Sequence, residues 1–134
     1  MDAESTIRAY YEALRIGESL PSFFAPDDST VKFGIGERLT GYDEVRAGLS
    51  KQTETTTDWE VKSRRLLVTQ RTDHAWFSDD VFMAWTDLER EVRYEFDSRW
   101  SGTLERRSED TDRTAIETPW QFVGMHVSTP GGTR

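Results

Sequence analysis

The hydrophobic period of this chain changes once along its length, and that change limits the folds open to it. Over residues 2–17 the apolar side chains Ile7, Tyr10, Tyr11 and Leu14 recur at steps of three and four, the spacing of an amphipathic helix. From residue 59 onward the step becomes two. Segments 59–71, 74–87, 92–107 and 114–128 alternate and are rich in aromatic residues, so they read as four long strands. Their links at 72–73, 88–89 and 108–112 are short, so neighbours run antiparallel as a meander. Helices first and a meander after them predict an α+β domain whose helices lie on one face of a curved sheet.

The helical half can be read further. Asp2 or Ser5 suits the start of the first helix and Gly17 its left-handed stop. Residues 18–24 predict a short second helical piece, with Pro21 in its first turn. Residues 26–28 form a turn, 29–34 a short strand, and 42–52 a further helix with Val45 and Leu49 one turn apart. The break at Ser78-Asp79-Asp80 is either a bulge in one curved strand or a turn between two short ones; a bulge is expected. One domain over 1–134 is expected, with 129–134 a frayed tail.

Charge and composition exclude several function classes. A formal net charge of −8 argues against nucleic acid, which requires a basic patch. There is no apolar run long enough to cross a bilayer, and the acidic start is unlike a signal peptide, so a cytoplasmic location is expected. Cysteine is absent, which removes disulfides and thiolate metal sites. His74 and His126 are too far apart in pattern to suggest zinc, and Asp110-x-Asp112 lacks the glycine and closing glutamate of a calcium loop. No metal or cofactor is expected. Only three of the seventeen basic residues are lysines, Lys32, Lys51 and Lys62; such an acid-rich, lysine-poor surface suggests a halophilic, high-salt cytoplasm.

In segment 74–87 one parity carries Trp76, Phe82 and Ala84, and the other Phe77, Val81, Met83 and Trp85. A strand apolar on both parities is expected to be covered on both faces. Helices cover one, and a second copy of the chain is the simplest cover for the other, which predicts a homodimer packed through the sheet.

Several local signatures coincide with one family. Ala9-Tyr10-Tyr11-Glu12-Ala13-Leu14-Arg15-Ile16-Gly17 resembles the opening "YxxALxxGD" pattern of SnoaL-like domains. Gly41-Tyr42-Asp43-Glu44-Val45-Arg46 is similar to their "G.+.IR" helix start, and Asp58-Trp59, Ala75-Trp76 and Arg99-Trp100 match strand positions. The segment from Trp120 to Ser128 resembles the closing "WxxxHxHxS" strand. The resemblance spans nearly the whole chain and implies the nuclear transport factor 2-like cone: a curved antiparallel sheet of four long strands and a short one, with about three helices on its concave face. It implies an apolar pocket between helix one, the first strand and the last two long strands. The superfold hosts isomerases, cyclases, dehydratases, transport factors and assembly domains, so it does not name a function.

Candidate site residues follow from that resemblance. Tyr10 stands where the ketosteroid isomerases of this fold carry an oxyanion-stabilising tyrosine. Phe33 stands at or near their catalytic aspartate and cannot move a proton; Lys32 or Glu37 substitutes only if the loop folds back. Along the last strand Trp120, Phe122, Gly124 and His126 share one parity, which the family turns inward, so His126 is expected on the pocket as an acid, base or anion ligand. The pattern's other histidine position is Gly124. Arg99 on the neighbouring strand suits a carboxylate, of a ligand or of Glu95, Asp97 or Glu117. Trp59, Trp76 and Trp100 are candidate walls, with Phe33 and Phe122 beside them, although tryptophans are mostly core residues.

Three functions are compatible with this pattern. The first is a domain binding a small hydrophobic acid or carbonyl compound. The second is an isomerase, cyclase or hydro-lyase on a carbon acid, with His126 as base and Tyr10 as electrophile; the third is an assembly domain that works by dimerising.

Overall fold

Helix α1 (Ala3–Ile16) starts where the Asp2 carboxylate accepts a hydrogen bond from the Ser5 N–H at 2.8 Å, so Asp2 is its cap. It stops at Gly17, whose φ of 77° a side chain would oppose. The helix buries Ala3, Ile7, Tyr10, Tyr11 and Leu14, each large apolar side chain contributing about 1.5–3 kcal/mol. The computed structural model describes residues 2–107 and 119–130. Where a second helical piece was predicted there is a single 3₁₀ turn, Pro21–Phe23, because Phe24 is already extended and bridges Phe122.

Strands β1 (Val31–Gly34) and β2 (Glu37–Thr40) form a hairpin, helix α2 (Tyr42–Thr55) follows, and β3 (Thr56–Ser63), β4 (Leu67–Gln70), β5 (His74–Asp87), β6 (Val92–Arg106) and β7 (Trp120–Ser128) complete the chain. The sheet order is β2-β1-β7-β6-β5-β3, with β4 also on β5. Among the described residues all strand pairs are antiparallel except β1 with β7. Thus β5, β6 and β7 form the predicted meander, and helices α1 and α2 cover its inner face around Leu14, Val45, Val81, Leu104 and Phe122. The sheet is curved and packed with helices as predicted, but the described residues hold two α-helices and a 3₁₀ turn where about three helices were expected. Of the predicted last strand, 114–118 lies outside the described residues, as do 131–134 of the predicted tail, the loop from 108, Asp110, Asp112 and Glu117.

The expected bulge at 78–80 is corrected. β5 runs in unbroken register against β6 from His74 to Asp87. The irregularity lies in its other neighbour, which breaks into β3 and β4 at residues 64–66. Asp79 faces this gap, only 3% exposed. Its carboxylate accepts hydrogen bonds from the Tyr11 hydroxyl at 2.8 Å, the Ser63 hydroxyl at 2.6 Å and the Arg65 N–H at 2.9 Å. A buried carboxylate is tolerable only when so satisfied, and here it ties α1 to the sheet corner.

The outer face is more polar than the two-parity reading implied. Trp76, 43% exposed, has the Arg71 guanidinium over its ring at 5.2 Å and stacks on His74. Phe82 is flanked by Lys62 at 5.6 Å and Arg64 at 5.5 Å. Cations over rings cover part of such surfaces without a second chain.

Candidate active site cavity

Between α1, α2 and the inner sheet face lies a cavity of about 280 Å³. Its apolar walls come from Leu14, Trp59, Met83, Trp85, Trp100 and Val127, and its polar groups include Tyr10, Lys32, Glu37, Lys51 and Gln52. The helix, first strand and late strands were the predicted lining; the contribution of α2 was not.

On β1, Lys32 is the inward residue. It sits opposite Met125 of β7, with Val31 and Phe33 on the other face beside Gly124 and His126. The hairpin through Gly36 (φ 73°) brings Glu37 opposite Gly34. Lys32 Nζ then lies 2.7 Å from Glu37 Oε1, with 7% of the lysine side chain and 30% of the glutamate side chain exposed. Gly34 makes the room: a Cβ there would lie 2.6 Å from Glu37 Oε1 and 3.4 Å from Lys32 Nζ. Removing one partner of so buried a pair strands the other charge.

Tyr10 is fixed by edge-on contacts to Phe23, Phe24, Trp100 and Phe122, with ring centroids 5.3–6.3 Å away. Among the described residues its hydroxyl has no hydrogen-bond partner, whereas that of Tyr11 donates to Asp79. Burial pushes the Tyr10 phenol well above its ordinary range, and the Glu37 charge adds to the shift. It therefore stays protonated and available as a donor.

Trp59 owes its place to a β-bulge. Thr57 pairs with Thr86 and Glu60 with Ala84, so β3 carries one extra residue, and Asp58 takes a φ of 55°. Unbroken alternation would set Trp59 opposite Ala84 on the outer face. The extra residue turns it inward instead, where its ring stacks on Trp85 with centroids 4.8 Å apart, and its indole N–H donates to Thr56 Oγ1 at 2.9 Å. Trp100 is similarly held, donating to Ser98 Oγ at 3.0 Å.

Of the predicted site residues, Tyr10, Trp59 and Trp100 line this cavity. Phe122 is fully buried one layer behind Tyr10. Trp76, Arg99, Phe33 and His126 do not line it, and the inward reading of His126 and Phe33 is corrected. On β7 Phe122 opposes Leu104 and Gly124 opposes Thr103, so Val123 is an extra residue that reverses the alternation. Met125 and Val127 are buried after it, and His126 is exposed, edge-on to Phe33 at 6.0 Å. Arg99 is exposed and donates to the Thr129 carbonyl at 3.3 Å. What sequence reasoning missed is that Lys32 and Glu37 fold into the cavity; the available signal was a lysine inside a short apolar strand, closed by Gly34 and Gly36. Among the described residues no group of His, Asp and Glu side chains could hold a metal ion, and no helix is long and apolar enough to cross a membrane.

The fold recurs in solved structures. A nuclear transport factor 2-like superfamily protein from Salmonella enterica serovar Typhimurium matches at TM-score 0.76 and 14% identity, over 97% of this chain and 89% of that one. A candidate dehydratase of the same superfamily from Streptomyces avermitilis matches at 0.76 and 16%, over 96% and 94%. A candidate calcium/calmodulin-dependent protein kinase II association domain from Xanthomonas campestris matches at 0.71 and 14%, over 94% and 84%. At these identities the likeness is one of fold. No curated protein matches the chain by sequence. The sequence profile of the SnoaL-like domain covers residues 3–131, and the chain belongs to that family.

Proposed function

We propose that the chain binds a small hydrophobic acid or carbonyl compound in the cavity beneath α1. The observation that carries this reading is the pairing of an unpartnered Tyr10 hydroxyl and a buried Lys32 ammonium with tryptophan walls. Pockets of this kind use an apolar lining for affinity and a few convergent polar groups for orientation. The ammonium has three N–H donors, and Glu37 engages one of them in the 2.7 Å contact. A ligand oxygen taken up by Lys32 and Tyr10 would leave its apolar body against Trp59, Trp85 and Trp100. A thermal-shift screen of hydrophobic carboxylates and enones tests the reading. A ligand at 100 times its Kd stabilises by about 2.7 kcal/mol, or about 10 °C at this chain length; no shift with any member of either class refutes it.

A second reading is supported by Glu37. A carboxylate and a neutral phenol bordering one cavity suit proton abstraction next to a carbonyl. Glu37 would take the α-proton, the C–H electron pair would pass to the carbonyl oxygen, and Tyr10 would donate a hydrogen bond to the resulting enolate. This replaces His126 as the base. Exchange of α-protons for deuterium in the presence of the chain, lost in Glu37→Gln, would support it; exchange at the uncatalysed rate refutes it.

Pairing of two copies through the outer face, an assembly role and stabilisation by molar salt belong to the same proposal. The exposed Trp76 and the −8 charge support them. Sedimentation and urea titration at low and high salt test each.

A further inference from the structure

Beside the ligand cavity lies a second one of about 410 Å³, between the end of α1, α2 and the start of β3. The two share a wall of four residues, Leu14, Gln52, Thr56 and Trp59. Trp59 is the largest of them, and its position is built at a cost. It needs the extra residue in β3 and a left-handed Asp58, a conformation that non-glycine residues adopt reluctantly. An outer-face clamp holds that bulge: Arg93 Nη1 donates to the Asp58 carbonyl at 2.9 Å and to Thr86 Oγ1 at 3.1 Å, while Arg93 Nη2 lies 3.0 Å from Glu60 Oε2. On the inner side the indole is pinned by Thr56 and Trp85. Strain, clamp and pin converge on keeping one indole between two chambers.

We infer that Trp59 is the specificity-determining partition of the site: it closes the aromatic chamber at its α2 side and sets the greatest length of ligand the cavity accepts. The inference rests on the binding reading above. The second chamber is lined mainly by polar residues, among them Arg15, Glu18, Thr53 and Asp58, so a ligand that reached it would carry a polar far end. Removing the indole joins the chambers and extends the acceptable ligand from a compact acid to a longer, doubly functional one.

The test is a titration of the full chain, followed by intrinsic fluorescence, with ω-hydroxyalkanoic acids lengthened one methylene at a time. It compares the natural chain with Trp59→Leu and Trp59→Phe, the first opening the wall and the second keeping a ring in it. In Trp59→Leu the preferred length is expected to increase, affinity rising about fourfold per added methylene past the natural optimum, whereas Trp59→Phe keeps that optimum. If the natural chain binds acids and Trp59→Leu keeps the same optimum, the partition is overturned and the binding reading stands. If only Trp59→Leu binds, the indole blocks the natural cavity instead of setting its length, and both readings are overturned; no binding by any of the three also overturns both.

Discussion

Asp79→Ala should be among the most damaging single substitutions in this fold. The carboxylate is 3% exposed and accepts three hydrogen bonds, from Tyr11 on α1, Ser63 at the end of β3 and the Arg65 N–H in the corner. Hydrogen bonds to a charged group contribute about 1.5–3 kcal/mol each, and a buried donor left without a partner costs about 1–3 kcal/mol. These terms are not additive, because the three donors share one carboxylate and Ser63 is only partly buried. A net loss of about 3–5 kcal/mol is expected, as for other buried charges removed from their partners. At this chain length that lowers Tm by roughly 10–17 °C. Tyr11→Phe removes one donor and leaves the carboxylate two, so about 1–2 kcal/mol is expected. Urea unfolding of both variants and the double variant measures it, and a coupling of at least about 1 kcal/mol should appear between the sites. An Asp79→Ala loss below 1 kcal/mol, or independent effects at the two sites, would refute the claim that this carboxylate anchors the helix to the sheet.

Alkaline pH should destabilise the fold through two phenols. Tyr10 and Tyr11 both have folded pKa values raised above the ordinary value of 10.0, chiefly by burial. Their neutral forms contribute stability that is fully present below pH 10 and lost as pH rises above it, at up to about 1.4 kcal/mol per unit for each; a Tyr10→Phe, Tyr11→Phe double variant should flatten that decline in urea unfolding measured against pH. Gly102→Ala should be severely destabilising, by about 3 kcal/mol or more, because a Cβ there would meet the Gly124 carbonyl oxygen at 2.5 Å and Phe77 at 2.9 Å. Gly124→Ala meets only Val31 at 3.8 Å and should change Tm by no more than a few degrees. Gly34→Ala should displace Glu37 from Lys32 and lower the α-proton exchange assigned to Glu37, while the chain remains folded by circular dichroism.

The architecture was legible because periodicity reports it directly. Ile7, Tyr10, Tyr11 and Leu14 marked the buried stripe of α1, and the alternation from residue 74 marked β5 and β6 along their length. Strand β2 was missed because Glu37-Arg38-Leu39-Thr40 has little of the β-branched and aromatic character of a strand, and it is held by its hairpin with β1. Read from periodicity alone, the site was legible only where the pattern is unbroken, and Trp59 was named through the family resemblance instead. Tyr10 lies on a regular helix and was correctly turned inward. His126 lies three residues beyond a bulge, and one extra residue turns every later side chain to the other face. The same device, at Asp58, brings Trp59 inward. Bulges leave no distinctive residue pattern here, since neither Val123 nor Asp58 is a glycine. The Lys32–Glu37 pair was hidden for a different reason: a charged side chain on a short strand is ordinarily solvated, and its burial depends on the hairpin closing over it.

Calorimetric titration of one ligand, the carboxylate or enone giving the largest thermal shift, into Tyr10→Phe and His126→Ala tests the central claim most directly. If recognition takes place beneath α1, Tyr10→Phe weakens binding about tenfold, and His126→Ala, altered on the exposed outer face, binds as the natural chain does. Unchanged binding by Tyr10→Phe together with weakened binding by His126→Ala would contradict the account and move the site to the other side of the sheet.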